Sequence, residues 1–236
     1  SISMAMVCAQ LGLRFTAVMP EGVSNERLLI ISRFGGEVVF SPKDRGIVGS
    51  LEAAAVFAEE HGAFFPRQFE NQDNAGAHRF RTAREIVVDL PGGTPDAVVS
   101  GVGTGGTLVG LYRGFCDHGC GTLPFAAKPV VTTSAFQEAE CSSFSGRIPG
   151  VVEGMSKLYE PSELEGLRSI EVPDARALDR TRDLIRRGFP VGPSSGLNYV
   201  AAEEAAKLLP ADARVVTVFP DRMERYFSTE LFGETT

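Results

Sequence analysis

The fold of this chain is decided by the stretch Ser100-Gly101-Val102-Gly103-Thr104-Gly105-Gly106-Thr107. Apolar residues 97–99 precede it and residues 108–112 follow with helical spacing, which predicts a strand, a glycine loop and a helix. Glycines let backbone N–H groups approach a ligand, and the helix N-terminus adds positive potential. Four glycines and two threonines exceed what a turn needs, which favours a phosphate site without Lys or Arg. The alternative is a turn that only uses the backbone freedom of glycine.

Three phosphate-binding patterns compete for this loop. The P-loop is excluded because no Gly-Lys-Ser/Thr follows. Gly101, Gly103 and Gly106 match the G-x-G-x-x-G string of dinucleotide-binding folds, which place an acidic residue at the end of the next strand. The next predicted strand, residues 129–133, leads into Thr-Thr-Ser, so a nicotinamide dinucleotide is an alternative with little support. A cofactor with one phosphate is the third possibility.

Several segments beyond the loop resemble one enzyme family in the family's own order. The loop 101–107 is similar to the phosphate loop of the cysteine synthase and cystathionine β-synthase family, which are fold-type II pyridoxal-phosphate enzymes. Further segments that resemble family motifs are residues 19–21 and 26–27, 68–71, 192–196, and 220–229. The resemblance covers nearly the whole chain, and several motifs in order are more specific than any one alone.

The resemblance implies a cofactor, a reaction and site residues. The cofactor is pyridoxal 5′-phosphate, and the reaction is β-replacement on an activated serine derivative, most closely O-acetylserine plus sulfide giving cysteine and acetate. The substrate is a small amino acid, and the partners implied are a second copy in a homodimer and serine acetyltransferase. The residues implied are Gly103, Thr104, Gly105, Gly106 and Thr107 for the phosphate, Ser194 for the pyridine nitrogen, and Gln68 for the substrate carboxylate.

The lysine that forms the Schiff base in this family has no match in the chain. Residues 1–6 resemble the helix that follows the family's substrate loop, so we expect the N-terminal part, with the lysine, to be missing ahead of Ser1. We therefore assign no catalytic residue here. Lys43 lies in a string similar to the lysine motif, but residues 36–40 before it match a later strand, which predicts an exposed loop residue. A truncated or non-catalytic relative that acts as a binding protein is an alternative.

Two other patterns point to chemistry that we do not favour. Gly192-Pro193-Ser194-Ser195-Gly196 fits the nucleophile elbow G-x-S-x-G, which needs a later His, and all three histidines precede it. Its serines could also serve as helix caps. Residues 116–120 carry two cysteines and a histidine, with Cys141 further on, but structural zinc sites pair two such ligand groups, so we predict no metal.

Composition and element order indicate an ordinary globular enzyme. Apolar residues are 43% and charged residues 22% of the chain. A net charge of −7 disfavours nucleic acid as a partner, and no apolar run predicts a membrane span, so we expect a cytoplasmic protein.

Alternating elements predict an α/β fold with mostly parallel sheets covered by helices, similar to the tryptophan synthase β-subunit. We predict a partial small domain over residues 1–73, a large cofactor-binding domain over 74–236, and a substrate-facing loop over 134–160. The predicted helices are 3–11, 24–34, 46–60, 74–90, the helix after the glycine loop, 173–187 and 195–209, and the predicted strands are 15–19, 37–40, 64–65, 96–101, 129–133, 169–172 and 214–219.

Overall fold

The computed structural model of the protein describes residues 1–131, 148 and 154–233. It shows an α/β structure in which helices and strands alternate along most of the chain, as predicted. Among these residues, no helix is both long and apolar enough to cross a membrane. The helices are α1 (Ile2–Leu11), α2 (Asn25–Arg33), α3 (Gly46–His61), α4 (Asp73–Ala77), α5 (Ala83–Asp89), α6 (Gly106–Asp117), α7 (Asp174–Arg186) and α8 (Pro193–Ala206), with a π-helix at His78–Thr82 and 3₁₀ turns at Lys43–Arg45, Pro161–Glu163 and Met223–Arg225. The strands are β1 (Thr16–Pro20), β2 (Glu37–Ser41), β3 (Ala97–Gly101), β4 (Leu123–Val130), β5 (Arg168–Pro173) and β6 (Val215–Thr217).

The described chain divides into two compact units. One comprises Ser1–Pro66 and the segment that begins at Met223, and the other spans Arg67–Arg222. Within the first unit, the hydroxyl of Ser24 donates to the carbonyl of Arg225 at 3.1 Å, and Glu26 accepts from Ser228. These bonds hold the C-terminal segment to the N-terminal residues, a grouping that the predicted division at residue 73 does not contain. The assignment of independent domains stays a prediction.

The first unit contains the parallel pair of β1 and β2, in which Thr16 lies opposite Glu37. Its core consists of buried Ala5, Ala17, Met19 and Ile31, drawn from α1, β1 and α2. Lys43 is exposed, as predicted, although it lies in a 3₁₀ turn.

The second unit contains a four-stranded parallel sheet in the order β5-β4-β3-β6. Successive residues of β3 enter different cores: Ala97 and Val99 pack in the cluster that includes Leu197 of α8, whereas Val98 packs in the cluster that includes Leu108 of α6. A parallel sheet buried on both faces by helices is the expected consequence of β-α-β connections. The predicted α/β fold class is confirmed.

Two predicted strands are wrong, each for an identifiable reason. Residues 64 and 65 form no strand. Phe64 is 81% exposed and pairs with no strand, and the β propensity of an aromatic residue stabilises a strand only through packing against neighbours. The strand expected at 129–133 is instead Leu123–Val130, paired with β3 from Ala97↔Leu123 onwards. The sequence pattern does not predict the full strand because it contains Pro124 and Pro129, and proline usually occurs in edge strands or at strand ends.

The helix predicted for residues 74–90 is interrupted by the π-helix His78–Thr82. A π-turn inserts an extra residue into the helix and often occurs at functional sites. Here the wider turn begins at His78, whose ring contacts Thr82 in the same turn and Thr107 in the glycine loop region. A tertiary contact therefore accompanies an irregularity that periodicity does not reveal.

Close packing of α6 against α4 and the π-helix predicts the effect of one substitution. A Cβ on Gly110 would lie 2.3 Å from the carbonyl oxygen of Ala75 and 2.7 Å from Cβ of His78. We expect Gly110→Ala to lower the free energy of unfolding by about 2 kcal/mol, because overpacking outweighs the gain in helix propensity. Gly121→Ala, where no atom lies within 4 Å, is the matched control in urea unfolding. Equal stability of both variants would contradict this packing.

Candidate cofactor and substrate site

The candidate site lies at the carboxyl ends of β3 and β6, within the second unit. From β3 the strand order runs to β4 and β5 on one side and to β6 on the other, so the order reverses between β3 and β6. In open α/β sheets, ligands bind outside the carboxyl ends of the strands at such a switch point. The paired registers of the two strands end at Val99↔Thr217, and beyond them the chain continues into the glycine loop and into Val218.

A buried amide occupies the gap where these strands separate. Oδ1 of Asn198, on α8, accepts from the N–H of Gly101 at 2.7 Å. Its Nδ2 donates to the carbonyl of Val218 at 2.9 Å. Asn198 is only 1% exposed, so both bonds form away from bulk water. Its side chain supplies the pairing that the ladder no longer supplies, and it joins α8 to the base of the loop.

The glycine loop turns into α6 at Gly105, whose φ is +80°. A Cβ on Gly106 would lie 2.2 Å from Oδ1 of Asn74, so a larger residue here would displace the Asn74 side chain. The backbone N–H groups of Gly103, Thr104, Gly105 and Thr107 donate to no residue within the described part of the chain. Unpaired donors at a helix N-terminus form an anion site that needs no cation.

Asn74 and His78 hold the two threonines of the loop from the neighbouring helix. Nδ2 of Asn74 donates to Oγ1 of Thr104 at 2.9 Å. Nε2 of His78 lies 3.2 Å from Oγ1 of Thr107, and its Nδ1 lies 3.2 Å from Oγ1 of Thr82. Burial lowers the pKa of the His78 imidazole, which keeps the ring neutral. A neutral ring that donates from Nε2 leaves the Thr107 hydroxyl proton free for an anion.

Ser194 lies near the N-terminus of α8, four residues before Asn198 and thus on the same helical face. Slightly more than one helical turn, about 6 Å, separates the two along the axis. Because Asn198 contacts Gly101, Ser194 stands beside the opening of the glycine loop. Its hydroxyl is half-buried and bonds to no residue in the described ranges.

Asp221, after β6, caps the N-terminus of α8 in place of the serines. Its carboxylate accepts from the backbone N–H groups of Ser194 and Ser195, each at 3.0 Å, and from the buried hydroxyl of Ser195. The cap position itself is Gly192, which has no side chain to accept a hydrogen bond. Neither serine therefore caps α8, and the hydroxyl of Ser194 stays available.

Gln68 lies in an exposed turn that is tied to the glycine loop. Nδ2 of Asn74 donates to the carbonyl of Gln68 at 2.8 Å as well as to Thr104. Arg67 before it has φ +51°, unusual for a residue other than glycine, and such strain is often found at functional sites. The structure thus places the predicted substrate residue near the predicted phosphate residues.

Pyridoxal phosphate fits the groups gathered at this edge of the sheet. Unpaired N–H groups and threonine hydroxyls suit the phosphate, and the available Ser194 hydroxyl suits a ring nitrogen. A nicotinamide dinucleotide fits less well, because β4 carries no Asp or Glu for a ribose. Within the described residues no group of three potential metal ligands exists, and Asp117 instead pairs with Arg79, which lowers the pKa of that carboxyl.

Sequence reasoning missed the residues that support the site, namely Asn74, His78, Ser156, Asn198 and Asp221. One signal was present: Asn74 and His78 are four residues apart at the start of a predicted helix, a spacing that puts two polar side chains on one face. Asp221 lies in the segment 220–229 that resembles a family motif, but nothing in the sequence indicated its contact with α8, and Asn198 carried no signal, because their partners lie far along the chain. Cys141, residues 132–134 and most of the predicted loop 134–160 lie outside the described residues.

An α/β chain with a cation-free anion loop at a switch point belongs to the class of proteins that bind a phosphate-bearing small molecule. Comparison with known families is more specific: the model of the pyridoxal-phosphate dependent enzyme family matches residues 1–221. The chain belongs to this family, so the predicted cofactor and enzyme class are confirmed.

Individual relatives agree with this assignment. Cysteine synthase B of Campylobacter jejuni is 35% identical over 98% of this chain and 76% of its own length. Cysteine synthase of Staphylococcus aureus is 34% identical over 98% of this chain and 74% of its own length. These relatives confirm the resemblance to the cysteine synthase family.

Solved structures share the fold. The O-acetylserine-dependent cystathionine β-synthase of Helicobacter pylori matches with a TM-score of 0.84 and 30% identity, over 98% of this chain and 74% of its own. A hydrogen sulfide-producing enzyme of Fusobacterium nucleatum matches with a TM-score of 0.87 and 29% identity, over 100% and 71%. Their different reactions show that the fold alone leaves the substrate open.

The lowered pKa of His78 predicts a pH dependence of stability. Unfolding returns the imidazole to its ordinary pKa of 6.5, so the unfolded chain binds the proton more readily. The contribution of neutral His78 is complete above pH 6.5 and is lost as the pH falls through the lowered value. Thermal unfolding between pH 5 and 8 should show a smaller loss for His78→Gln than for the parent protein. Identical pH profiles of the two proteins would contradict a half-buried ring that favours its neutral form.

Proposed function

We propose that this protein catalyses β-replacement on an activated serine derivative, with O-acetylserine and sulfide as the substrates and cysteine and acetate as the products. The observation that carries the proposal is the joining of the glycine loop, Ser194 and the Gln68 turn by Asn198 and Asn74. The relatives named cysteine synthase support this substrate pair over others.

Gly103, Thr104, Gly105, Gly106 and Thr107 bind the cofactor phosphate in this proposal. Backbone N–H groups and the threonine hydroxyls donate to the phosphate oxygens, and the N-terminus of α6 contributes about half a positive charge. Gly105 and Gly106 are buried, whereas Gly103, Thr104 and Thr107 are half-buried. Because the groups are fixed by Asn74 and His78, little reorganisation accompanies binding.

In this proposal the hydroxyl of Ser194 forms a hydrogen bond with the pyridine nitrogen of the cofactor. The cofactor, when bound, supplies an electron sink that allows a good leaving group to depart from the β-carbon of an amino acid. A hydroxyl partner leaves the nitrogen uncharged and the sink moderate, whereas a carboxylate would favour the charged ring. Asp221 lies close to Ser194 in space, but its carboxylate accepts hydrogen bonds from the N-terminus of α8.

Gln68 binds the substrate carboxylate with its side-chain amide. Its turn is fixed through the backbone, since Asn74 holds its carbonyl and the N–H of Lys157 bonds the next carbonyl, that of Phe69, at 2.9 Å. The side chain of Gln68 itself is exposed and bonds to no described residue, so its amide is available to a ligand. We also propose a homodimer, the cytoplasm as its location and serine acetyltransferase as a partner.

Cofactor affinity tests the phosphate site. Thr107→Ala should weaken binding of pyridoxal 5′-phosphate by about 1–3 kcal/mol, roughly 5- to 150-fold, because a donor to a charged group is lost. The control is Thr94→Ala, an exposed threonine whose hydroxyl contacts only the carbonyl of Gly92. Titration of the complete gene product, followed by cofactor fluorescence, gives both constants. Equal affinity of Thr107→Ala and the parent would refute the assignment.

Formation of cysteine tests the reaction and the role of Gln68. The complete gene product should form cysteine from O-acetylserine and sulfide, and Gln68→Ala should raise KM for the amino acid roughly 10- to 100-fold through loss of a bond to a carboxylate. Cofactor affinity should stay unchanged. Gln72→Ala, which alters an exposed amide in contact with Arg113, is the control. A cofactor-loaded protein that forms no cysteine would refute the proposed reaction but not the cofactor site.

A further inference from the structure

We propose that Ser156 is a positioning residue that orients the Thr104–Gly105 peptide so that the Gly105 N–H faces the cofactor phosphate. The inference rests on the phosphate site proposed above. It starts from an unusual set of contacts: Oγ of the half-buried Ser156 lies within hydrogen-bond distance of the carbonyl oxygens of Thr104 and Phe69 and of the backbone nitrogen of Leu158.

The hydroxyl has one proton, so it can donate to only one of the two carbonyls. The backbone N–H of Leu158 donates to Oγ of Ser156, with a distance of 3.1 Å between the nitrogen and the oxygen. This bond uses a lone pair of Oγ, so the hydroxyl proton can still be donated to a carbonyl. The carbonyl of Phe69 already accepts from the N–H of Lys157 at 2.9 Å and lies 3.3 Å from Oγ. The carbonyl of Thr104 is the closer of the two and has no other donor among the described residues. The Ser156 hydroxyl therefore donates its hydrogen bond to the carbonyl oxygen of Thr104.

Fixing this carbonyl also fixes the N–H on the other side of the same peptide. A trans peptide is planar, and its C=O and N–H point in opposite directions. With the Thr104 carbonyl held towards Ser156, the Gly105 N–H points away from Ser156. That N–H has no partner in the described part of the chain and belongs to the loop assigned to the phosphate.

The segment that carries Ser156 packs against the glycine loop on the side of the Thr104 carbonyl. A Cβ on Gly105 would lie 2.6 Å from Cβ of Tyr159, so the backbone of the loop rests directly against this residue. Lys157 pairs with Glu70 at 2.8 Å and lowers the pKa of the Glu70 carboxyl, which joins the segment to the turn after Gln68. The side of the peptide opposite Ser156 is left for a ligand.

The test compares two ligands that differ only in the phosphate. Ser156→Ala in the complete gene product should weaken pyridoxal 5′-phosphate about 2- to 10-fold, the effect of one hydrogen bond, and leave the affinity for pyridoxal unchanged. The ³¹P resonance of the bound cofactor should shift, because a donor to the phosphate is misaligned. Ser156→Thr keeps the hydroxyl and should restore both values. Ser162→Ala, whose hydroxyl contacts only Glu160, is the control.

Two results would overturn the inference. Equal weakening of pyridoxal and pyridoxal 5′-phosphate would show general loosening of the site and a structural role for Ser156. An unchanged ³¹P resonance with unchanged affinity would show that the peptide keeps its orientation without the hydroxyl. Thr107→Ala measured in parallel separates the two proposals: if it weakens the cofactor while Ser156→Ala does not, the phosphate site stands and only the role of Ser156 is wrong.

Discussion

The site depends on the bridging amide of Asn198. Strands β3 and β6 pair up to Val99↔Thr217 and then separate, which leaves a donor at Gly101 and an acceptor at Val218 inside the protein. Unpaired polar groups in a low-dielectric interior are costly, so the separation requires a partner that offers both functions. An asparagine side chain offers them in one plane. Because that side chain belongs to α8, the same pair of hydrogen bonds ties the point where the strands separate to the helix that carries Ser194.

In the proposed phosphate site, a loop without a cation would have to hold a dianion with fixed dipoles alone. The net charge of −7 places the anion site in an acidic protein, where general electrostatic attraction does not help. Peptide dipoles act only over a short range and only when they are held in position. This explains the extent of support around the loop: Asn74 on Thr104, His78 near Thr107 and Ser156 on the Thr104 carbonyl. The lowered pKa of His78 fits the same scheme, since a neutral ring orients a hydroxyl without adding a titrating charge.

The turn that carries Gln68 and the glycine loop share their supports. Asn74 donates to both the Gln68 carbonyl and Thr104, and the segment around Ser156 contacts both Phe69 and the loop. Rigid elements connected in this way keep two small binding sites in a constant relation, which orientation-dependent chemistry requires.

The fold class, the glycine loop and the family can be predicted from the sequence alone, because they depend on local patterns: apolar periodicity, glycine where a positive φ is needed, and short motifs in a fixed order. The sequence also predicts roles for Ser194 and Gln68, which stay predictions. The bounds of β4, the π-turn and the residues that support the site depend on tertiary contacts. Strand β4 was misplaced because its two prolines hide a strand that its neighbours stabilise, and the π-turn at His78 accompanies a contact across 29 residues of sequence. Asn198, Asp221 and Ser156 acquire their roles only through partners 97, 26 and 52 residues away, and hydrogen bonds between such distant residues leave no periodic trace in the chain.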